Sequence, residues 1–310
     1  LRLREQLSAR RPRVRLEGLR GSSAAVVLGA AAQTSSDFFL VVGDDEEEAA
    51  YFYNDLRQLL GEHTVLFLPS SYRRAVKYGH RDTAGEILRT DVLSRLSGRA
   101  AGAEAGEPLF VVTFPAALAE RVAPRVSLSA RSLSLKVGES HDVIELTHRL
   151  EELGFRRKDY VYEPGEYALR GSILDIFSYA SEYPYRIDFF GDEVESVHSF
   201  EVQTQLSRSV VEGAQIVPNV EGDASSEQLV PITDYFSQEP VVVAHDLQFV
   251  CDRVQQIFDE GFADQALAEQ AATSEMELSE VYARFAASRL LVNGKELQSQ
   301  LARGMYWQWS

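Results

Sequence analysis

Three short runs constrain this chain most. "DFFLVVGDD" (37–45), "TVLFLPS" (64–70) and "PLFVVTF" (108–114) are apolar on consecutive residues, not on alternate ones. A strand of that kind is buried on both faces, as in a parallel sheet between two layers of helix. The stretches between them have a different period. "EEEAAYFYNDLRQLLGEH" carries Ala50, Tyr53, Leu56, Leu59 and Leu60 at helical spacing. "AGEILRTDVLSRLSG" (84–98) is amphipathic and ends at a glycine, as helices commonly do. "AAGAEAGE" (100–107) reads as a small-residue loop, and "PAALAERV" opens a helix with proline in its first turn. Strand alternating with helix predicts a parallel α/β layer over residues 1–122.

From about Val126 the pattern changes. "VSLSARSLSLKVGE" has a two-residue period and predicts a strand. "VIELTHRLEELGF" predicts one amphipathic helix. "GEYALRGSILDIFSY" and "YPYRIDFFGDEVESVHSFE" read as hairpin strands, with Gly191-Asp192 at a tight turn. An inserted α+β domain with an antiparallel sheet is expected over 123–210. "SVVEGAQIVPN" (209–219) then reads as a strand leading back to the first domain, and "GDASSEQ" as a polar loop. "EPVVVAHD" (239–246) is a buried strand and "LQFVCDRVQQIFDEGF" a helix. Residues 211–310 are expected to be helix-rich and to complete the first sheet.

The formal net charge of −16 disfavours general attraction to nucleic acid or to an anionic membrane. The first twenty residues run against that balance, with Arg2, Arg4, Arg10, Arg11, Arg13, Arg15 and Arg20. That arm reads either as a solvated helix face or as a contact to phosphates, the second making the chain a DNA-binding module. The one cysteine, Cys251, excludes an internal disulfide framework and lies at helical spacing, as a small core residue would. No stretch reaches the ~18 apolar residues of a membrane span. The start is arginine-rich without an apolar signal segment, so a soluble cytoplasmic protein is expected. The chain opens on Leu1 without methionine and stops at "MYWQWS", and both ends read as cuts in a longer sequence.

Few residues point to chemistry. The six histidines include no helical metal pair; His141 and His148 are seven apart, with Asp142 and Glu145 between. No metal site and no catalytic residue is expected. "EGLRGSSAAVVLGAAA" (17–32) invites the phosphate-loop template G-x-x-x-x-G-K-[ST]. Laid on Gly18, the template puts Ser23 at the second glycine, Ala24 at the lysine and Ala25 at the magnesium-binding hydroxyl. Either this is a plain turn into a core helix, or it is a nucleotide site whose chemistry has gone. In "YPYRIDFF", alternation puts Tyr185, Ile187 and Phe189 on one face and Arg186, Asp188 and Phe190 on the other. Arg186 and Phe190 then lie ~13 Å apart along the strand. Arg170 precedes Gly171 on the neighbouring hairpin. Two readings stay open: an exposed interaction surface, or a phenyl tucked under the turn with the arginines paired to Asp175 and Asp188.

"PGEYALRGSILDIFSYASEYPYRIDFFGDEVESVHSFEVQTQLS" (164–207) resembles the second domain of the bacterial transcription-repair coupling factors, the Mfd family. A related segment occurs in the excision-repair protein UvrB. The shared pattern is G-E-[YF]-x-x-R-G-x-[IL]-[IL]-D-[IL]-F, then P-x-R-[IL]-[DE]-F-F-x-[DE]-E-[IV]-[DE]-S, then F-[DE]-x-x-[ST]-Q. "LEGLRGSSAAVVLGA" and "FVVTFPAALAERV" agree as well. The resemblance covers most of 15–220 and weakens over 221–310.

The resemblance implies a UvrB-like order of domains 1a, 2 and 1b. A RecA-like parallel sheet over 1–122 carries a degenerate, inactive P-loop at Gly18, Ser23, Ala24 and Ala25. The insert over 123–210 binds UvrA, and 211–310 completes the first domain. It maps the UvrA-binding surface onto Arg170, Arg186 and Phe190. It implies that these residues recruit UvrA to a stalled RNA polymerase without cofactor and without ATP hydrolysis. RNA polymerase and double-stranded DNA are expected to bind domains elsewhere in the parent, whose helicase-type motor takes ATP and Mg²⁺. The parent's C-terminal domain is expected to mask the UvrA face. The short segment between "VLFLPSS" and "GEILRTDVLSRL" leaves no room for UvrB's DNA-clamping hairpin. The alternative is a nucleotide-binding helicase lobe of a UvrB-like repair protein.

Overall fold

The computed structural model describes residues 5, 13–32, 37–70, 83–100, 108–219, 228–262, 264, 267–268, 271–272 and 277–310. The chain divides into two compact units, one of residues 1–122 with 227–310 and one of 123–226. Arg2, Arg4, Arg10 and Arg11 of the basic arm lie outside the described residues, as do 71–82, most of the "AAGAEAGE" loop and most of "GDASSEQ".

Unit 1 begins with strand β1 (Arg13–Leu16), helix α1 (Ser23–Ala32), β2 (Phe38–Val42), α2 (Glu46–Leu60), β3 (Val65–Phe67), α3 (Thr83–Ala100), β4 (Leu109–Thr113) and the short α4 (Pro115–Leu118). All five residues of β2 and all five of β4 are buried, as their unbroken apolar runs require. Arg13 and Arg15 lie in strand β1, not on a helix face, with Arg15 paired to Glu17 at 3.2 Å.

The chain then enters unit 2. Helix α5 (Arg125–Arg131) and strand β5 (Leu133–Lys136) occupy the stretch expected to be one strand. Serine explains the difference. Ser129 Oγ donates to Arg125 O at 3.1 Å and Ser132 Oγ to Leu128 O at 2.7 Å. These serines bond back to carbonyls one helical turn earlier, so their alternation does not mark a pleat. Helix α6 (Val143–Glu152) starts on Asp142, whose carboxylate accepts from Ile144 N and Glu145 N. Next come β6 (Arg156–Arg157), β7 (Glu166–Arg170), β8 (Ile173–Ile176), β9 (Tyr185–Phe190), β10 (Glu193–Phe200), β11 (Ser207–Val211) and β12 (Gly213–Ile216).

The main sheet of unit 2 has the order β11-β10-β9-β8-β7-β6, antiparallel except for β6 with β7. Strand β12 pairs with β5 in a separate ribbon. Residues 209–219 therefore stay in unit 2 through β11 and β12 instead of leading back, and the unit runs to 226, not 210. One core joins Leu146 and Leu150 of α6, Leu135 and Ile216 of the ribbon, and Tyr167, Leu174, Ile187 and Phe189 on one face of the main sheet. Tyr167 donates to Glu151 at 2.8 Å, and burial first, then that bond, pushes its hydroxyl up to about 12.

Back in unit 1, β13 (Val241–Ala244) precedes α7 (Leu247–Glu260), α8 (Leu278–Arg284), α9 (Ala287–Leu290), α10 (Gly294–Leu301) and β14 (Tyr306–Trp309). The sheet order is β1-β14-β13-β2-β4-β3 and every pairing is parallel. The unit is thus α/β with a wholly parallel sheet. "MYWQWS" supplies an interior strand, with Trp307 fully buried against Phe39 at 6.5 Å between ring centroids. Cys251 is buried in α7, and desolvation pushes its thiol up to about 11, consistent with a packing role. Among the described residues no helix is long and apolar enough to cross a membrane, and no group of three His, Cys, Asp or Glu is placed to hold a metal ion.

Candidate functional site

The face of the unit 2 sheet opposite its main core gathers the three residues singled out in the hairpins. Two glycines place them. Gly171 (φ 62°) and Gly191 (φ 63°) open the turns after β7 and β9, in the left-handed region that only glycine takes cheaply. Arg170 and Phe190 are the residues just before those turns.

Register places the rest. Ala168 of β7, Asp175 of β8, Arg186 of β9, His198 of β10 and Val210 of β11 are successive cross-strand partners. Asp175 is fully buried. Arg186 donates to it in a fork, Nε to Oδ1 at 2.7 Å and Nη2 to Oδ2 at 2.8 Å. Arg170 donates to the same Oδ2 through Nη2. The hydrogen bonds to Asp175 push the Arg186 guanidinium further up, against the opposing effect of burial. Each arginine also reaches a loop. Arg170 Nη1 donates to Asp159 O at 2.8 Å, and its Cζ lies 5.0 Å from the Tyr160 ring centroid. Arg186 Nη1 donates to Gln205 O at 3.0 Å, and its Cζ lies 4.5 Å from the Phe200 ring centroid.

The three residues differ in how much they offer. Phe190 is 79% exposed, the side chain of Arg170 35% and that of Arg186 18%. The ring does not tuck under its turn. Both arginines do pair with an acid, and both ion pairs go to Asp175; Asp188 instead accepts from Ser196 Oγ at 3.3 Å. The phenyl is thus exposed, as the first reading expected, and both arginines pair with Asp175, as the second did, though not with Asp188. A shared anion holds the cations in place on the face that also carries the exposed phenyl.

Unit 1 has a cleft of about 680 Å³ at the carboxyl ends of its strands, where α/β sheets commonly bind ligands. The loop after β1 forms part of it. Gly18 N and Leu19 N donate to Ser310 O at 2.8 and 3.2 Å. Ser23 begins α1, and its hydroxyl donates to Arg20 O at 2.8 Å and accepts from Arg20 N at 2.7 Å. Ala25 is 1% exposed, and Ala24, 7% exposed, lines the cleft. Asp44, Asp45, Glu47, Glu48 and Asp55 line the cleft beside His245. Asp45 caps α2 by accepting from Glu48 N at 2.9 Å, and Glu48 accepts from Asp44 N at 2.6 Å.

Residues 133–221 match the UvrB interaction domain family. The chain is also similar to curated proteins named transcription-repair-coupling factor. It is 41% identical to that of Escherichia coli (strain K12) over 101 residues, which is 33% of this chain and 9% of the relative. It is 32% identical to that of Bacillus subtilis (strain 168) over 166 residues, 53% of this chain and 13% of the relative. For Staphylococcus aureus (strain USA300) the values are 33% over 144 residues, 45% and 12%. The matched stretches thus span about a tenth of the length of these relatives. The matched domain and these relatives support the resemblance carried by residues 164–207, and identify the chain as similar to the N-terminal, UvrB-like module of the transcription-repair-coupling factors, the Mfd family.

Proposed function

We propose that unit 2 is a docking module for UvrA, the damage-recognition ATPase of excision repair, and that Arg170, Arg186 and Phe190 mark its contact face. One observation carries the reading: inside the matched domain, a phenyl ring stands 79% exposed on the same sheet face as two arginines that a buried carboxylate holds. An exposed aromatic on one face with ordered guanidiniums has the composition of a binding hot spot. In the longer protein, the module brings UvrA to a stalled RNA polymerase. Polymerase binding, ATP- and Mg²⁺-driven movement on duplex DNA and masking of this face by a C-terminal domain belong to other domains of that parent. The test is a binding titration of UvrA against the chain and against Phe190→Ala. Loss of a buried aromatic anchor costs about 2 kcal/mol or more, roughly thirtyfold in affinity, read mainly as faster dissociation. Equal affinity of the two chains overturns the reading.

We further infer that unit 1 is a degenerate P-loop, RecA-like domain that takes no nucleotide. The Gly18 and Leu19 N–H groups already donate to Ser310 O, and the methyls of Ala24, which lines the cleft, and of buried Ala25 supply neither the charge of a lysine nor a hydroxyl. A polyphosphate in the cleft would also face Asp44, Asp45, Glu47, Glu48 and Asp55. Calorimetric titration with ATP and Mg²⁺ is expected to release no binding heat. Saturable binding would favour the helicase-lobe alternative.

A further inference from the structure

Arg186 is too well satisfied to be mainly a contact residue. Its Nε, Nη1 and Nη2 each donate to a protein acceptor, and its side chain is 18% exposed. The outermost of those acceptors is Gln205 O. Gln205 has φ 56°, the one non-glycine residue at positive φ among the described residues. Its Oε1 is buried and accepts no hydrogen bond from the described residues. Two unfavourable features meet at one residue, and such concentrations mark functional segments. The turn around it is nonetheless closely fastened. Gln205 N donates to Glu201 O at 2.8 Å, Glu201 N to Leu206 O at 2.9 Å, and Gln205 Nε2 to Val202 O at 2.7 Å and Val161 O at 3.2 Å. This effort holds out one apolar side chain: Leu206 is 68% exposed.

Arg170 does the same on the other flank. It bonds Asp159 O and lies over the Tyr160 ring, which is 51% exposed. The Gln205–Val161 bond links the two flanks, so the chain Tyr160–Arg170–Asp175–Arg186–Gln205–Leu206 is one connected network.

We infer that Tyr160 and Leu206 are further contact residues for UvrA on the face that carries Phe190, and that Arg170 and Arg186 act chiefly as positioning residues that present them. The inference rests on the docking function proposed above. The occupant is the same, because Tyr160 and Leu206 lie in the matched domain and are joined to the Phe190 strand through Arg186.

The test uses the full 310-residue chain. Dissociation of UvrA is timed for the wild type, Phe190→Ala, Tyr160→Ala and Leu206→Ala, with thermal unfolding measured alongside. Both new variants are expected to release UvrA about tenfold faster, with unchanged unfolding temperature. In the absence of UvrA, Arg186→Lys keeps the charge and loses the fork. It is expected to speed amide hydrogen exchange at 203–206 several-fold, which a cation acting only by touching the partner would not do. If Phe190→Ala releases UvrA faster while Tyr160→Ala and Leu206→Ala match the wild type, the contact role is overturned and the docking function stands. Unchanged exchange in Arg186→Lys overturns the positioning role. Failure of the wild-type chain to bind UvrA overturns the docking function and this inference with it.

Discussion

Asp175→Ala is expected to destabilise unit 2 by about 3–5 kcal/mol, the usual cost of removing one partner from a buried ion cluster. The carboxylate is fully buried and accepts three hydrogen bonds from two guanidiniums. Without it, two cations on β7 and β9, the strands flanking β8, face each other with no Asp175 carboxylate between them, and the mostly buried Arg186 cannot turn to water. The order of effects follows from exposure. Arg186→Ala should cost nearly as much, because it leaves Asp175 buried with one partner. Arg170→Ala should cost about 1 kcal/mol, since a side chain a third exposed is partly screened already. Urea unfolding gives the totals. Amide exchange at β7, β8 and β9 shows whether the loss is centred there. Equal, small effects of all three substitutions would mean that the cluster is a surface ornament and does not hold the sheet face.

The sequence showed the parts whose signals are local. The unbroken runs of β2 and β4 could only be strands covered on both sides, and the structure buries every residue of both. Phe190 was legible because alternation along "YRIDFF" and the glycine that follows both act within a few residues. The burial of Arg186 was not, because its acid lies 11 residues away and only strand register chooses Asp175 over Asp188. Edge strand β1 was hidden by its own composition: "RVRL" looks like a charged helix face until a neighbouring strand pairs with it. That neighbour, "YWQW", is nearly three hundred residues distant along the chain. Positive φ at Gln205 left no mark, since nothing in "QTQLS" departs from an ordinary polar turn. The missed features of this sheet face are all consequences of tertiary contact.

The second large effect is expected in unit 1, at a pair that amphipathic spacing would put on a helix surface. Arg89 of α3 and Glu120 are both fully buried, with Nη1 3.0 Å from Oε2. Arg89 Nη1 also donates to Pro69 O at 2.7 Å, and Ser70 Oγ to Glu120 Oε1 at 2.5 Å. Glu120 sits where the chain is about to leave the unit, and its neighbours are tied to the returning chain. Arg121 N donates to Leu290 O at 2.9 Å, Val122 N to Val230 O at 2.8 Å and Val292 N to Ala119 O at 2.7 Å. The ion pair therefore fastens α3 and the end of β3 to the crossing point of the outgoing and returning segments. Arg89→Met or Glu120→Leu alone strands one charge in the core and is expected to cost about 3–5 kcal/mol. The double variant removes both charges and leaves the Ser70 hydroxyl and the Pro69 carbonyl short of a bond, at about 1–3 kcal/mol each. It is therefore expected to be no less stable than either single variant, so the two effects are far from additive. Both tryptophans of the chain, Trp307 and Trp309, lie in β14 of this unit, so their fluorescence during urea unfolding reads its stability directly. Additive losses would show that the two charges act separately and that the crossing point is held by its other bonds, the backbone ones and those of Arg121.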